Sequence, residues 1–325
     1  MKATATACAN LALIKYWGKR DAAQNIPAND SVSVTLDGLT ATTTVEFDAA
    51  LARDEIELNG ARTEDARIRR QLDHVRRLAG TTDGARVVTT TTFPVRAGLA
   101  SSAAGMAALS AAAARAARLR LDDRALSALA RLGSGSAARS IHGGFVHWHA
   151  GTDHASSFAE PLARADALDL AIAAVVLTET PKPVESTEAM ERTQATSPLY
   201  PARLAYVEGA IDRLTLALHA GDLPGVGQIA ELDALNLHAC MMTTDPPLLF
   251  WVPETVALLH DVWAHRERTG RTVYFSIDAG ANVFLLGSPD EIERALASLP
   301  TVARATRVLR SRPGPGVEYP SKHLF

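Results

Sequence analysis

The stretch Phe93–Leu109, FPVRAGLASSAAGMAAL, lies where a strand ends and a helix begins. Pro94 and Gly98 mark the exit from the strand. Ser101 and Ser102 stand where the helix must start, and the alanines that follow have the highest helix propensity. The stretch is compatible with an ordinary capped helix. It is equally compatible with anion binding, because free N–H groups at a helix start, beside small residues, suit a polyphosphate. It is not a Walker A loop, because no Gly-Lys-Ser/Thr follows.

On the N-terminal side, residues 31–47 alternate and are rich in β-branched residues, which predicts two strands joined at Asp37 and Gly38. The other predicted elements on this side are a short strand at 54–59, a helix at 64–79 with Ile68, Leu72, Val75 and Leu78 on one face, and a strand at 85–93.

Beyond the stretch, strands and helices continue to alternate. We predict a helix to about Leu119, helices at 122–132, 187–195, 199–220 and 223–239, a strand in the second half of 133–148, a buried strand at 168–178, and two strands joined by a turn at 272–287. The segment PKPVEST, residues 181–187, breaks this pattern and predicts a boundary between lobes at 1–182 and 183–325. The sequence therefore predicts a two-lobed α/β (α+β) protein.

Composition excludes several classes of protein. The 325 residues are 47% hydrophobic and 21% charged, with a net charge of -3, so nothing favours general binding to nucleic acid or to an anionic membrane. The longest apolar window, Ala103–Ala114, is too short to cross a bilayer. The two cysteines and an N-terminus without a signal-peptide pattern lead us to expect a cytoplasmic protein.

Two lysines in KYWGK, Lys15 and Lys19, stand close together at a strand end or turn. They can be a solvated basic pair, or two ammonium groups that neutralise a phosphorylated substrate.

The segment GSGSAARS, residues 133–140, can be a flexible turn, but its Arg139 also suits bidentate binding of a carboxylate. Asp278, in FSIDAGAN, is either a turn-capping group or a functional carboxylate.

Three histidines, His142, His147 and His149, occupy and precede a predicted strand. We expect them to be surface histidines rather than a zinc site, because the segment has no carboxylate or cysteine to complete a ligand set.

Four segments together resemble one enzyme family. The Phe93–Leu109 stretch resembles the ATP-phosphate loop of the galactokinase, homoserine kinase, mevalonate kinase and phosphomevalonate kinase (GHMP) superfamily. ANLALIKYWGKRDAAQNIPANDSVSVTLD, GSGSAARSIHGGFVHW and FSIDAGANVFLL narrow the resemblance to mevalonate diphosphate decarboxylases. VESTEAMERTQATSPL, at the lobe boundary, resembles a further segment of that family. The matches follow the family's order over most of the chain.

The resemblance implies a GHMP-type small-molecule kinase fold, ATP and Mg²⁺ as cofactors, a phosphorylated mevalonate as substrate, and a homodimer. It implies Asp278 as the catalytic aspartate, Lys15 as the group that keeps it ionised, and Arg139 as the ligand of the substrate carboxylate. The other implied site residues are Tyr16, Lys19, Asn25, Arg67, Ser134, Ser136 and Ser186 for the substrate, and Gly98, Leu99, Ala100, Ser101 and Ser102 for ATP. Mg²⁺ would be held through the ATP phosphates, with Ser101 as a candidate contact.

The chain departs from the family pattern at several positions. Ala138 replaces a cysteine, Ala189 a glycine and Ala281 a proline, and Val95-Arg96 stands where small or polar residues are usual. The implied activity is ATP-dependent decarboxylation of mevalonate 5-diphosphate. The alternatives are decarboxylation of the 5-monophosphate, a 3-kinase reaction without decarboxylation, and a catalytically silent metabolite sensor.

Overall fold

The computed structural model describes residues 1–93 and 101–325, and of Ser101 it describes only the backbone. The strands in this part of the chain are β1 (Lys2–Ile14), β2 (Lys19–Asp21), β3 (Ile26–Pro27), β4 (Ser31–Asp48), β5 (Glu55–Leu58), β6 (Ala61–Arg62), β7 (Gly84–Thr91), β8 (Phe145–Trp148), β9 (Ala159–Ala163), β10 (Ala171–Val176), β11 (Tyr274–Ile277), β12 (Val283–Gly287) and β13 (Arg307–Ser311). The α-helices are α1 (Ala66–Ala79), α2 (Ser101–Ala116), α3 (Asp123–Gly133), α4 (Ser186–Thr196), α5 (Tyr200–His219), α6 (Leu223–Met242), α7 (Pro253–Thr269) and α8 (Pro289–Ser298), with 3₁₀ turns at Gly135–Ile141, Ala165–Ala167 and Val302–Arg304.

Two main sheets organise the fold. The first has the order β6-β5-β7-β4-β8-β9, with β1 along the other edge of β4, and all its pairs are antiparallel except β5 with β7. The second is the antiparallel sheet β11-β12-β10-β13. Helix α2 packs on β1 and β4 of the first sheet. Helix α6 packs on β1 of the first sheet and on β11 of the second, so these two strands lie where the two sheets meet. This mixed α/β architecture agrees with the predicted fold class.

The lobe division at residues 182 and 183 stays a prediction, but two segments cross it. Strand β10, Ala171–Val176, pairs with β12 and β13 in the second sheet. The chain after β13 returns to the first sheet, where Glu318 bridges to Thr6 and Pro313 to Leu36.

The predicted hairpin at Asp37 and Gly38 is wrong. Residues 31–48 form one strand, and both of its halves pair with β1, whose register jumps between Cys8 and Ala9 from Thr40 to Leu36. Gly38 has a φ of 76°, so this Asp-Gly pair makes an irregularity within a strand rather than a reversal. A local turn signal does not reveal that a long partner strand is present.

Most of the other predicted elements are confirmed, including α1 to α6 and the strands on either side of Asp278. In α1, Ile68, Leu72 and Val75 are buried as predicted, whereas Leu78 is 58% exposed. Helices α7 and α8 and strands β1 and β13 were not predicted. Residues 94–100 of the Phe93–Leu109 stretch lie outside the described residues, and α2 begins at Ser101.

Candidate active site

Lys15 and Asp278 form an ion pair where the two sheets meet. Lys15 follows the last residue of β1, and Asp278 follows the last residue of β11. The Lys15 Nζ donates to the Ala12 carbonyl at 2.6 Å, to Ser276 Oγ at 2.7 Å and to Asp278 Oδ1 at 2.8 Å. All three donors of the ammonium group are therefore used, and Lys15 is only 2% exposed. The Asp278 side chain is 27% exposed, so the carboxylate remains accessible to a substrate.

The backbone of Lys15 is held by a second, fully buried ion pair. Arg203 of α5 and Asp233 of α6 are 1% and 0% exposed, with Nη1 at 3.0 Å from Oδ1. Asp233 Oδ2 accepts from the Lys15 N–H at 2.8 Å, and Arg203 Nη2 donates to the Lys15 carbonyl at 3.1 Å. Two helices of the C-terminal half thus orient a residue from the start of the chain.

The main chain of Asp278 is held by His238. The carbonyl of Asp278 can only accept, so the His238 Nε2, at 3.1 Å, carries the hydrogen. Burial lowers the pKa of His238 to about 3, so the ring is neutral at pH 7. The ring also packs against Trp251, with centroids 4.9 Å apart. His238 is therefore a neutral donor that orients the turn carrying the carboxylate.

Arg139, in the 3₁₀ turn Gly135–Ile141, is 3% exposed and is oriented by neutral groups. Its Nε and Nη2 donate to Asn10 Oδ1 at 3.2 and 3.0 Å, and its Nη1 donates to Ser31 Oγ at 2.7 Å. Burial lowers the pKa of Arg139 to about 10, and the charge of Asp278 acts in the opposite direction. Among the described residues no carboxylate lies within ion-pair distance of this guanidinium. A buried cation of this kind is prepared to bind an anionic group of a ligand.

Tyr16 and Trp148 form an aromatic wall beside Arg139. Their rings are T-shaped with centroids 4.8 Å apart, and the Arg139 guanidinium lies 5.7 Å from the Trp148 ring centre. Gly135 makes this packing possible, because a Cβ there would lie 2.9 Å from Tyr16 Cε1 and 3.0 Å from Trp148 Cη2.

The start of α2 meets the glycine- and serine-rich turn that follows α3. The Ser102 and Ser134 hydroxyls are 3.4 Å apart, and the first turn of α2 has no acidic residue. The Ser136 carbonyl accepts a hydrogen bond from Asn10 Nδ2 at 3.1 Å. The predicted ATP residues Gly98, Leu99 and Ala100 and the Ser101 side chain lie outside the described residues.

Lys19 and Ser186 lie together near the start of α4. The Lys19 Nζ donates to Thr187 Oγ1 at 3.3 Å, and Ser186 Oγ accepts from Lys182 Nζ. Burial lowers the pKa of Lys19, partly offset by Glu191. These contacts place two of the predicted substrate residues close to each other at the start of α4.

Two predicted substrate residues are bound to other groups of the protein. Arg67 binds the Asp65 carboxylate through Nε and Nη2, at 3.1 and 2.7 Å, and Asp65 in turn caps α1. The Asn25 amide donates to the Arg131 and Leu132 carbonyls, both at 3.1 Å, at the end of α3. Their substrate roles stay predictions.

Sequence reasoning missed the residues that position the site: Asn10, Ser31, Arg203, Asp233, His238 and Ser276. Asn10 had a signal, because it is a polar residue within the apolar run of β1, where an amide needs a partner. Asp233 and His238 lie within α6, and nothing local in the sequence distinguishes them from solvent-exposed polar residues of a helix.

The expectation for the three histidines was wrong in two respects. His142 is buried, 8% exposed, with Nε2 2.9 Å from the Ala159 carbonyl. His147 and His149 do have carboxylates beside them, Asp30 and Glu160, because neighbouring strands supply groups that the segment itself lacks.

No helix among the described residues is long and apolar enough to cross a membrane.

Comparisons with known proteins match nearly the whole chain. A family model described as diphosphomevalonate decarboxylase-like N-terminal domain matches residues 7–159, and one described as mevalonate 5-diphosphate decarboxylase C-terminal domain matches residues 172–313. The chain is 34% identical to the phosphomevalonate decarboxylase of Haloferax volcanii, over 90% of each protein. It is 35% identical to the diphosphomevalonate decarboxylase of Rattus norvegicus, over 94% of this chain and 82% of that protein.

The structure is also similar to solved structures of related proteins. The mevalonate diphosphate decarboxylase of Staphylococcus aureus superposes with a TM-score of 0.94 at 35% identity, over 98% of both chains. A structure of MDDEF in complex with MVAPP, AMPPCP and magnesium superposes with a TM-score of 0.92 at 36% identity, over 98% of both chains.

The fold and these matches define the class: a decarboxylase built on a GHMP-type kinase fold. Within that class, the chain belongs to the mevalonate diphosphate decarboxylase family.

Proposed function

We propose that the chain catalyses the ATP-dependent decarboxylation of mevalonate 5-diphosphate to isopentenyl diphosphate. The observation that carries the proposal is the Lys15–Asp278 pair together with Arg139, a buried guanidinium that has no carboxylate partner among the described residues. The pair suits activation of a hydroxyl, and the guanidinium suits a substrate carboxylate.

The first step is transfer of the γ-phosphate of ATP to the C3 hydroxyl. Hydroxide leaves a tertiary carbon slowly, and phosphate is a far better leaving group. Asp278 accepts the hydroxyl proton, and Lys15, 2.8 Å away, favours the ionised carboxylate that this role requires. Phosphoryl transfer otherwise needs mainly alignment and charge neutralisation.

The second step forms the double bond. The C3–O bond breaks with its electron pair, inorganic phosphate leaves, and positive charge grows at C3. The C1–C2 bond then supplies the electrons of the C2–C3 double bond, and C1 departs as carbon dioxide. Asn10 and Ser31 fix the orientation of Arg139, which holds the carboxylate in line with the breaking bond. Arg139 donates no proton, because a guanidinium stays protonated.

The start of α2 fits the triphosphate of ATP. The first-turn N–H groups of a helix have no partner within the helix itself, which suits an anion. In addition, α2 has no acidic residue in its first turn, and the Ser102 and Ser134 hydroxyls lie next to each other. We assign the loop residues Gly98, Leu99 and Ala100 to the same role from the sequence. Mg²⁺ would be held through the ATP phosphates, with the Ser101 hydroxyl as a candidate contact from the sequence, and would supply charge neutralisation.

We assign Lys19 to the phosphate end of the substrate, and Tyr16, Asn25, Arg67, Ser134, Ser136 and Ser186 to the rest of its pocket. The desolvated ammonium group of Lys19 supports this assignment, because it gains most from an anionic partner.

A second candidate substrate is mevalonate 5-phosphate, which would yield isopentenyl phosphate. This substrate stays a candidate because the chain is 34% identical to the phosphomevalonate decarboxylase of Haloferax volcanii. The deciding experiment supplies each substrate with ATP and Mg²⁺ and measures ADP, inorganic phosphate and carbon dioxide. We expect all three products in equal amounts, with the larger kcat/KM for the diphosphate. ADP without carbon dioxide would indicate a 3-kinase, and no turnover of either substrate would overturn the proposal.

We also propose that the chain is a cytoplasmic homodimer, as the family resemblance implies. Both cysteines, Cys8 and Cys240, are buried and free, which is consistent with a reducing compartment. Light scattering of the eluting protein on size exclusion measures the oligomeric state directly, and a monomeric mass would contradict the dimer.

A further inference from the structure

His147 of β8 and His149, the residue after this strand, point to the face away from the active site. Side chains alternate along a strand, so Trp148, which packs on Tyr16, points to one face and the two histidines to the other. The imidazole centroids are 4.1 Å apart. Ser31 of β4 pairs with Trp148, which brings Asp30, the preceding residue, beside the two rings.

Three ligand atoms converge at this place. His147 Nε2 is 2.9 Å and His149 Nδ1 is 3.7 Å from Asp30 Oδ2, and the ligand atoms of the three residues all lie within 4.8 Å of one another. Ligands about 2.0–2.2 Å from a tetrahedral ion are roughly 3.3–3.6 Å apart, so small side-chain rotations suffice to centre an ion. The three side chains are partly exposed, between 17% and 36%, which leaves a path from solvent.

The groups behind these ligands are also in place. His149 Nε2, the ring nitrogen that faces away from Asp30, lies 2.7 Å from Glu160 Oε1. A carboxylate that accepts the second N–H of a histidine fixes the tautomer and makes the other nitrogen a better ligand, as in most protein metal sites. Asp30 Oδ1 accepts from the Ala150 N–H at 2.7 Å, which orients the carboxylate and leaves Oδ2 toward the histidines. An accidental surface cluster does not require such support.

We propose that Asp30, His147 and His149 bind one divalent transition-metal ion, with Glu160 as the positioning residue for His149. Two imidazoles and one carboxylate suit Zn²⁺, Co²⁺ or Ni²⁺ and discriminate against Mg²⁺, which prefers oxygen ligands. Water completes the coordination. The site links the start of β4 to the end of β8, so a bound ion stabilises the folded chain and takes no part in the decarboxylation.

The test uses the full-length chain without a histidine tag, dialysed against EDTA and then freed of chelator. Calorimetric titration with Zn²⁺ is expected to give one site per chain, and Co²⁺ the visible absorption of a tetrahedral ion. His147→Gln/His149→Gln is expected to weaken binding at least 100-fold. Glu160→Gln, which leaves all three ligands, is expected to weaken it about tenfold, as is usual for an outer partner.

His219→Gln, at an exposed histidine of α5, is the matched control and is expected to bind as the wild type does. Zn²⁺ should raise the Tm of the wild type and of the control but not that of the double variant, because an ion that binds only the folded state stabilises it. Millimolar Mg²⁺ should not compete. Equal Zn²⁺ affinity of the wild type and the double variant would overturn the proposal, and an unchanged affinity of Glu160→Gln would overturn the role assigned to Glu160.

Discussion

Lys15 Nζ lies 2.8 Å from Asp278 Oδ1, although the two residues are 263 positions apart in the chain. The ammonium group is buried, whereas the carboxylate is 27% exposed. Lysine therefore serves as a fixed internal charge, and the aspartate is the member of the pair that can meet a substrate.

Replacing Asp278 by Asn removes the proposed proton acceptor and keeps the shape of the side chain. We expect kcat to fall by about 10²–10⁴, the usual contribution of a general base, while substrate binding survives. Steady-state kinetics and calorimetric binding of the substrate measure the two effects. Asp212→Asn, at an exposed position of α5, is the control. Near-normal turnover of Asp278→Asn would remove this residue from the role.

Arg139→Lys keeps the charge and removes the fork that contacts both Asn10 and Ser31. One ammonium group cannot make these contacts and also align a carboxylate, so we expect kcat to fall at least tenfold. Single-turnover measurements that follow ADP and carbon dioxide separately should place the loss mainly in carbon dioxide release. Unchanged kinetics would mean that another group holds the carboxylate.

The buried Arg203–Asp233 pair should be costly to break from one side. Asp233→Asn leaves the guanidinium without its counter-charge, and we expect the free energy of unfolding to fall by about 3–5 kcal/mol. Urea denaturation measures the change. In the exposed pair Arg310–Glu293, Glu293→Gln should cost no more than about 1 kcal/mol. If both variants lose equally little stability, the buried pair does not anchor Lys15 as described.

Gly135→Ala should disturb the aromatic wall, because its Cβ would lie 2.9 Å from the Tyr16 ring. We expect a loss of about 1–3 kcal/mol in unfolding free energy and a higher KM. Gly209→Ala in α5 is the matched change, since its Cβ would approach only the end of the flexible Arg213 side chain. That variant should gain up to about 1 kcal/mol, because alanine is the better helix former. If Gly135→Ala changes neither the free energy of unfolding nor KM, the Tyr16 ring can move away from the added methyl group.

His238 should make the protein less stable in mild acid. Its pKa is about 3 when folded and 6.5 in the unfolded reference, so the unfolded chain binds more protons between these values. Unfolding free energy therefore falls as pH falls below 6.5, by about 2 kcal/mol between pH 7 and 5 from this group.

His238→Gln removes this contribution, so its stability should depend less on pH by the same amount, measured by urea denaturation at both values. His219→Gln, the same substitution at an exposed position of α5, is the control. Parallel pH profiles for the wild type and His238→Gln would contradict the assignment of a buried neutral ring.

The elements of this protein were largely predictable wherever local physics decides them. Asp65 caps the start of helix α1 and Gly80 caps its end. The apolar residues Ile68, Leu72 and Val75 are spaced so that they lie on one buried face. The local pattern gave a wrong prediction at Gly38. The Asp-Gly pair predicts a hairpin, but β1 pairs with both halves of β4, on either side of Gly38. A strand partner is a property of the whole chain, and no window of sequence contains it.

The candidate site divides in the same way. Lys15, Arg139 and Asp278 were identified from the sequence, because they lie in short distinctive segments that resemble one family. The sequence did not reveal that Asp233 and His238 of α6 orient these residues, because the contacts form only when separate elements pack together. The same is true of the carboxylates beside His147 and His149. Sequence alone determined which side chains can carry the chemistry. Tertiary structure decided which of them meet and which are desolvated, because burial and distance depend on contacts between residues remote in the chain.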